Sequence, residues 1–260
     1  IVAWKYDVWS NPHNNRPVGA GGVLIGNEVV PGFPQPEGKP IPMPEGDGSR
    51  NSNPLYDLPN MNVLYHFIKD MPIRVSALRS LGAHLNVFSI ESMFDELALA
   101  GNIDPLELRM NHMADIRARQ VMQTATDAFG WRKRQKRGPF HGFGMAFARY
   151  KNLGAYCAVC LEISVDQNTG RITVHRVQAA ADCGEVVSPN GVQNQIEGAI
   201  IQSISWCTRE EVTNNETIRT SFDWSAYPIL RFLDIPEKID VIVEEQPGQP
   251  FLGVAECGQG

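Results

Sequence analysis

Residues 155–180 read AYCAVCLEISVDQNTGRITVHRVQAA, and this stretch decides the fold class. Its two flanks are rich in β-branched and small apolar residues, the composition of strands. Between them Asp166–Gly170 carries Asn168-Thr169-Gly170, a sequence suited to a hairpin loop. The pair therefore predicts two strands joined by a tight turn. Cys157 and Cys160 form a CxxC inside the first strand. Residues three apart on a strand point to opposite faces, so these read as two ordinary buried cysteines and not as ligands of one metal. The five cysteines are odd in number and irregularly spaced, which gives no disulfide framework.

Upstream of the hairpin the apolar period lengthens to that of a helix. Val87, Ile90, Phe94 and Leu97 recur at spacings of three and four, with Glu91 and Asp95 off the stripe. Asp104-Pro105 opens a second helix with an N-cap, a proline at the first position and Glu107 at the capping-box place. A third covers Asp115–Phe129, with Ala118, Met122, Ala125 and Phe129 on one face and Gly130 closing it. The basic run RKRQKR, residues 132–137, then reads as a solvated connector. Further out, NVLYHFI (62–68) and the opening IVAWKYDVW, which alternates unlike a leader, are strand candidates. Residues 19–54, dense in Gly and Pro, are expected to be loop.

Downstream, Ser188-Pro189 caps a helix running to about Trp206, with Ile196, Ala199, Ile200 and Ile204 as its apolar face. KIDVIVEE supplies a last strand before a glycine-rich end. The class is α+β, with no internal repeat. Two subregions are expected: 1–135, with a strand, the long loop and helices, and 136–260, an α+β segment. Hydrophobic residues make up 43% and charged residues 20%, ordinary for a globular protein. The formal net charge of −6 argues against a general nucleic-acid binder. No apolar run approaches the roughly 18 residues of a membrane span.

Three polar segments resist a purely structural account. Arg79-Ser80-Leu81-Gly82 forms a turn ahead of a helix, where free backbone N–H groups and a guanidinium suit an anionic or carbonyl-rich ligand. An arginine capping a loop would look the same. Gln193 and Gln195 sit in the first turns of the Ser188 helix, followed by Glu197-Gly198. Gly198 costs roughly 1 kcal/mol against Ala inside a helix, which suggests close approach of a backbone or ligand; the glutamines could equally be solvated. Last, PFLGVAECGQG (250–260) sets Glu256 among glycines and apolar residues, a setting that suits a general base and also fits a surface loop.

Taken in order, these segments resemble the molybdenum-binding subunit of the molybdenum hydroxylases, the xanthine dehydrogenase/aldehyde oxidase family. The subgroup most similar is that of bacterial isoquinoline 1-oxidoreductase beta subunits and related aldehyde dehydrogenases. LPNMNVLYHFI, RSLGAHLNVFSIESMFDELALAGNIDPLELR, DCGEVVSPNGVQNQIEGAIIQSIS, FDWSAYPILR and PFLGVAECGQG carry the resemblance. It implies the fold of that family's molybdopterin-binding domain and an enzyme that hydroxylates an N-heteroaromatic compound or oxidises an aldehyde, with water as oxygen source. Glu256 would be the catalytic base. Arg79, Ser80, Gly82 and Gln195 would bind the cofactor, Leu81 would face the substrate pocket, and no side chain of this chain would ligate the metal. The implied cofactors are the molybdenum–molybdopterin cytosine dinucleotide and [2Fe-2S] clusters on a partner.

The implied partners are an iron–sulfur small subunit, the remaining N-terminal part of the molybdenum-binding subunit, a small-molecule substrate, and a cytochrome c as candidate electron acceptor; no nucleic acid is expected. Localisation stays open between the cytoplasm and the periplasmic side of a bacterial membrane. A non-catalytic scaffold subunit and an unrelated α+β ligand-binding domain are the competing readings. Departures from the family pattern refine this. Arg79-Ser80-Leu81-Gly82 stands where xanthine oxidases have Arg-Gly-Phe-Gly, which argues against xanthine as substrate. Gly253-Val254-Ala255-Glu256 stands for Gly-x-Gly-Glu. The family's Gly-Gly-x-Phe-Gly loop and the proline-rich stretch after the glutamate are not in these residues, so the chain is expected to be a portion of a longer subunit with an incomplete active site.

Overall fold

The computed structural model describes residues 1–13, 38–70, 77–216 and 218–260. Two sheets organise them. β1 (Trp4–Ser10) and β2 (Met61–Phe67) pair in parallel, Trp4 opposite Met61 and Ser10 opposite Phe67. The larger sheet has the order β3 (His141–Arg149), β4 (Tyr156–Val165), β5 (Ile172–Asp182), β6 (Lys238–Glu244). β4 runs antiparallel to both of its neighbours, β3 and β5, and β6 runs parallel to β5. The fold is α+β, with helices packed on two sheets of which the larger is mainly antiparallel.

The expected hairpin is β4–β5. Asp166 closes its loop: Oδ1 accepts from the Asn168 and Thr169 N–H groups at 3.0 and 2.8 Å, and Gly170 takes φ +70°. The near-continuous apolar run of β4 follows from burial on both faces. On one side Tyr156, Ala158 and Cys160 pack with Phe94, Leu106, Val121 and Met122. On the other, Cys157 packs with Val177, Ala179, Ala181, Ile196, Ile200 and Cys257. The two cysteines of the CxxC thus enter different cores, on the opposite faces that a spacing of three demands.

Among the described residues, four helices pack around these sheets. α1 (Ala83–Ala100) lies against β3, and α2 (Pro105–Asn111) packs on α1. α3 (Ile116–Phe129) crosses β4 and β5, while α4 (Pro189–Thr208) covers β5 and β6 from the other side. Their ends are chemical. The Asp104 carboxylate accepts from Leu106 N–H at 2.9 Å, with Pro105 at the first position. Asp115 accepts from Arg117 N–H at 2.9 Å, and Gly130 terminates α3 at φ +76°. Arg117 also grips the fully buried Asp182 through Nε and Nη2 at 2.7 and 2.5 Å, joining α3 to the end of β5. Complete burial of Phe94 on α1 contributes roughly 1.5–3 kcal/mol by itself.

Glu91 departs from expectation. It falls off the apolar stripe of α1, yet it is buried. The reason is Arg109 of α2, which is fully buried and donates from Nε to Glu91 Oε2 at 2.9 Å and from Nη1 to Asp95 Oδ1 at 2.7 Å. Tyr56 Oη and Phe147 N–H complete the Glu91 carboxylate at 2.8 and 2.9 Å. Burial opposes the charge on Arg109, but Glu91, Tyr56 and Asp95 outweigh it and hold the guanidinium above its ordinary range.

Of the expected loop 19–54, residues 19–37 lie outside the described residues. From 38 to 54 the chain has turns but no helix or strand, and Asp47–Ser52 are largely buried. Buried loop carbonyls need donors. Asn86 of α1 supplies them, donating to Gly48 O at 2.9 Å and Arg50 O at 2.8 Å. Asn51 ties the same loop to Arg149 O and Asn152 Oδ1 at 2.8 and 2.9 Å. In the expected connector 132–137 five of the six residues are exposed; the sixth, Arg134, lies 3.7 Å over the Trp131 ring and donates to Asp104.

Candidate active site

After β6 the chain folds back over the ends of the central strands. Leu252 N–H donates to Cys183 O at 2.8 Å and Ala155 N–H to Gly253 O at 3.2 Å. Gly184 permits this crossing: at φ +74°, its missing Cβ would stand 2.0 Å from Pro250 O. The segment then enters a short 3₁₀ turn, Cys257–Gln259, which packs on α4. Gln259 is buried there; its carbonyl accepts from His84 Nδ1 at 2.8 Å and its Nε2 donates to Gln202 Oε1 at 2.9 Å. Glu256 immediately precedes that turn, so its backbone is fixed by the fold.

The carboxylate of Glu256 is bound at both oxygens. Ser80 N–H donates to Oε2 at 2.7 Å, and Arg50 Nη1 forms an ion pair with Oε1. The apolar, glycine-lined setting read from the sequence is therefore corrected: an arginine from the loop before β2 supplies a counter-charge. Three of the four N–H groups of the Arg79–Gly82 turn are likewise spent within the protein. Ser80 gives its own to Glu256, Leu81 to Leu78 O at 3.2 Å and Gly82 to Asp47 O at 2.9 Å. The anion held at this turn is the protein's own glutamate.

Arg79 joins the other two segments. Its Nε donates to Ala255 O at 3.1 Å, and its Nη2 donates to Gln195 O at 3.0 Å, to Gln195 Oε1 at 2.8 Å and to Ala255 O. Burial pushes this guanidinium below its ordinary range, against the opposite pull of Cys257 and Glu256. Four of the six expected site residues thus meet: Arg79, Ser80, Gln195 and Glu256. Gln193 takes no part; its Nε2 donates to Glu197 Oε1 at 2.7 Å on the surface. At Gly198 an added Cβ would meet only Arg79 Nη1, at 3.9 Å, so the expected close backbone approach is not made within the described residues.

Gly82 and Leu81 belong to the same turn, but their N–H groups bond to Asp47 O and Leu78 O and not to Gln195 or Glu256. A Cβ at Gly82 would lie 2.3 Å from Gly48 O and 2.5 Å from Asp47 O, backbone atoms that cannot swing aside. Gly82→Ala should therefore cost about 1–3 kcal/mol and loosen the Ser80 contact, read as a lower urea midpoint. Leu81, at φ +51°, lines a cavity of about 530 Å³ with Arg79, Trp9, His84, Leu85 and Trp206. Glu256 does not line that cavity. Ser80, at φ +80°, has a buried hydroxyl with no hydrogen-bond partner among the described residues. Strain of this kind gathers at functional sites.

The donor set can be tested against a group that these residues could hold. An orphaned buried hydroxyl, the exposed amide of Gln195 and the bare backbone of Gly198 beside the Arg79 guanidinium suit an anionic, carbonyl-rich organic ligand. A family model described as the molybdopterin cofactor-binding domain matches residues 91–236. The chain belongs to this family. It is thus part of the molybdenum hydroxylase group, and of the residues that meet at the site the matched span contains Gln195, with Arg79, Ser80 and Glu256 outside it.

Relatives and structures agree with that placement. A nicotinate dehydrogenase subunit of Pseudomonas putida is 35% identical over 233 residues, covering 84% of this chain and 19% of the relative. The beta subunit of isoquinoline 1-oxidoreductase from Brevundimonas diminuta is 30% identical over 188 residues, 72% of this chain and 24% of the relative. The chain therefore spans about a fifth to a quarter of these relatives' length. In fold it resembles quinoline 2-oxidoreductase from Pseudomonas putida 86, with TM-score 0.65, 13% identity, 79% of this chain and 51% of that one. The aldehyde oxidoreductase of Desulfovibrio gigas gives 0.64, 14%, 80% and 41%.

Sequence reasoning missed Arg50. It lies among Gly48, Ser49 and Asn51 in an aperiodic loop, 206 positions from the glutamate it binds. The one available signal was a cation inside a Gly/Pro-rich loop, and by itself that is too common to single out.

Proposed function

We propose that this chain is part of the molybdenum-cofactor subunit of an oxidoreductase that hydroxylates an N-heteroaromatic compound or oxidises an aldehyde. What supports this reading most is the convergence of Arg79, Ser80, Gln195 and Glu256 from three separate segments on one point. In this reading Gln195, Arg79 and the Ser80 hydroxyl hold the cofactor, of the molybdopterin cytosine dinucleotide form. When bound, the cofactor supplies the activation of water and takes up the two electrons removed from the substrate. In this reading [2Fe-2S] clusters on a partner would be the acceptors of those electrons.

The chain's own residues manage the proton. Glu256 accepts it at a carboxylate oxygen, and the Ser80 N–H fixes the orientation of that carboxylate. Arg79 holds Ala255, and so keeps the residue before the base registered against α4. Leu81, in place of an aromatic, forms part of the substrate wall and disfavours stacking of a purine. The relatives' printed substrates, nicotinate and isoquinoline, make an N-heterocycle the first class to assay.

The test is metal and nucleotide analysis of the full-length subunit purified with its native partners. Stoichiometric molybdenum, release of a cytosine nucleotide on acid hydrolysis, and turnover of an N-heterocycle or aldehyde are expected. A native complex without molybdenum would sink the proposal. Cofactor bound with no turnover on either class would return the chain to a scaffold role.

A further inference from the structure

We infer that Arg50 is a positioning residue for Glu256, an assignment that rests on reading Glu256 as the base. The Arg50 side chain is 8% exposed and that of Glu256 12%, so the pair is shielded from bulk water. Arg50 is held from every side. Its Nε donates to Glu45 O at 2.7 Å, its backbone N–H to Asp47 O at 3.3 Å, and its carbonyl accepts from Asn86 Nδ2 at 2.8 Å. Asn86 is buried and is itself fixed by Tyr6 Oη, which donates to its Oδ1 at 3.0 Å.

These contacts share one origin. Asn86 belongs to the first turn of α1, and Ser80 to the turn that leads into the same helix. Each oxygen of Glu256 is therefore gripped by a group referred to α1, one through Arg50 and one through Ser80 N–H. Two such grips stop the carboxylate turning about its terminal bond, which one alone would not. A guanidinium suits this task better than an ammonium because its donors are set in a rigid plane. General-base efficiency depends steeply on such placement, where a misplacement of about 1 Å can cost about 100-fold in rate.

The experiment is a double-mutant cycle in the assembled full-length enzyme, with Arg50→Met, Arg50→Lys, Glu256→Gln and the combined Arg50→Met/Glu256→Gln. Arg50→Met should lower kcat about 10- to 100-fold with KM within about twofold. Arg50→Lys should fall between Arg50→Met and wild type; it keeps the charge and guards against a variant that fails to fold. In the Glu256→Gln background Arg50→Met should cost nothing more in kcat. The double variant should also melt no lower than Arg50→Met alone, and molybdenum content should stay unchanged.

Wild-type kcat in Arg50→Lys and Arg50→Met, with Glu256→Gln inactive, would overturn the role of Arg50 and leave the base reading intact. A further loss in the Glu256→Gln background, or loss of molybdenum, would make Arg50 act independently of Glu256 and overturn the inference equally. Full turnover in Glu256→Gln would instead overturn the base reading, and with it any positioning role.

Discussion

Glu256→Gln should keep the cofactor and lose turnover. Glutamine has nearly the same shape, and its amide oxygen can still accept from Ser80 N–H, so the turn before α1 need not move. What it cannot do is take a proton. General-base catalysis contributes about 100- to 10,000-fold, and a loss of that size in kcat is the expected result. Steady-state kinetics with an N-heterocycle, alongside molybdenum content, would read it. The variant should also be less stable, since Arg50 then faces an amide across a site mostly shielded from water. Activity within tenfold of wild type would remove Glu256 from the catalytic role.

The largest effect on stability is expected at Arg109. Its guanidinium is fully buried and donates to the Glu91 carboxylate, to Asp95, to Glu91 O at 2.9 Å and to Pro105 O at 3.1 Å. It also stands 5.8 Å over the Phe94 ring. Arg109→Met fills much of the volume but leaves Glu91 as a buried charge with only Tyr56 and Phe147 N–H to stabilise it. Breaking one side of such a pair costs about 3–5 kcal/mol. Adding Glu91→Gln should recover part of that loss, because the stranded charge is then gone. Chemical unfolding of the single and double variants measures both numbers. Equal stability of Arg109→Met and wild type would mean that the network contributes nothing net.

Much of this fold was legible because its signals are local. Asp104-Pro105, Asp115 and Gly130 mark helix ends within a turn of the groups they cap, and Asp166–Gly170 closes a hairpin through its own side chain. The alternation that sent Cys157 and Cys160 to different cores is likewise a property of adjacent residues. Glu91 and Arg50 were not legible for the opposite reason. Each owes its place to a partner far along the chain, and a window of a few residues around a charge says only that it is polar. The turn at Arg79–Gly82 is an intermediate case. Its capacity to bind an anion could be read, while the identity of the anion required the fold to bring residue 256 beside residue 80.

α1 connects these two regions in a way that bears on how the gene can vary. Its approach turn orients Glu256, its first turn fixes the Arg50 loop through Asn86, and about a turn and a half further on Glu91 anchors the core. An α-helix advances 1.5 Å and rotates about 100° with each residue. One codon gained or lost between Ala83 and Glu91 would therefore swing the carboxylate of residue 91 away from Arg109 while the approach turn stayed in place. Length changes are admissible beyond Ala98, where Leu99 and Ala100 are exposed and Gly101 ends the helix. Within this element reading-frame-preserving insertions should be rarer than substitutions, and its near half should be the stretch least tolerant of them.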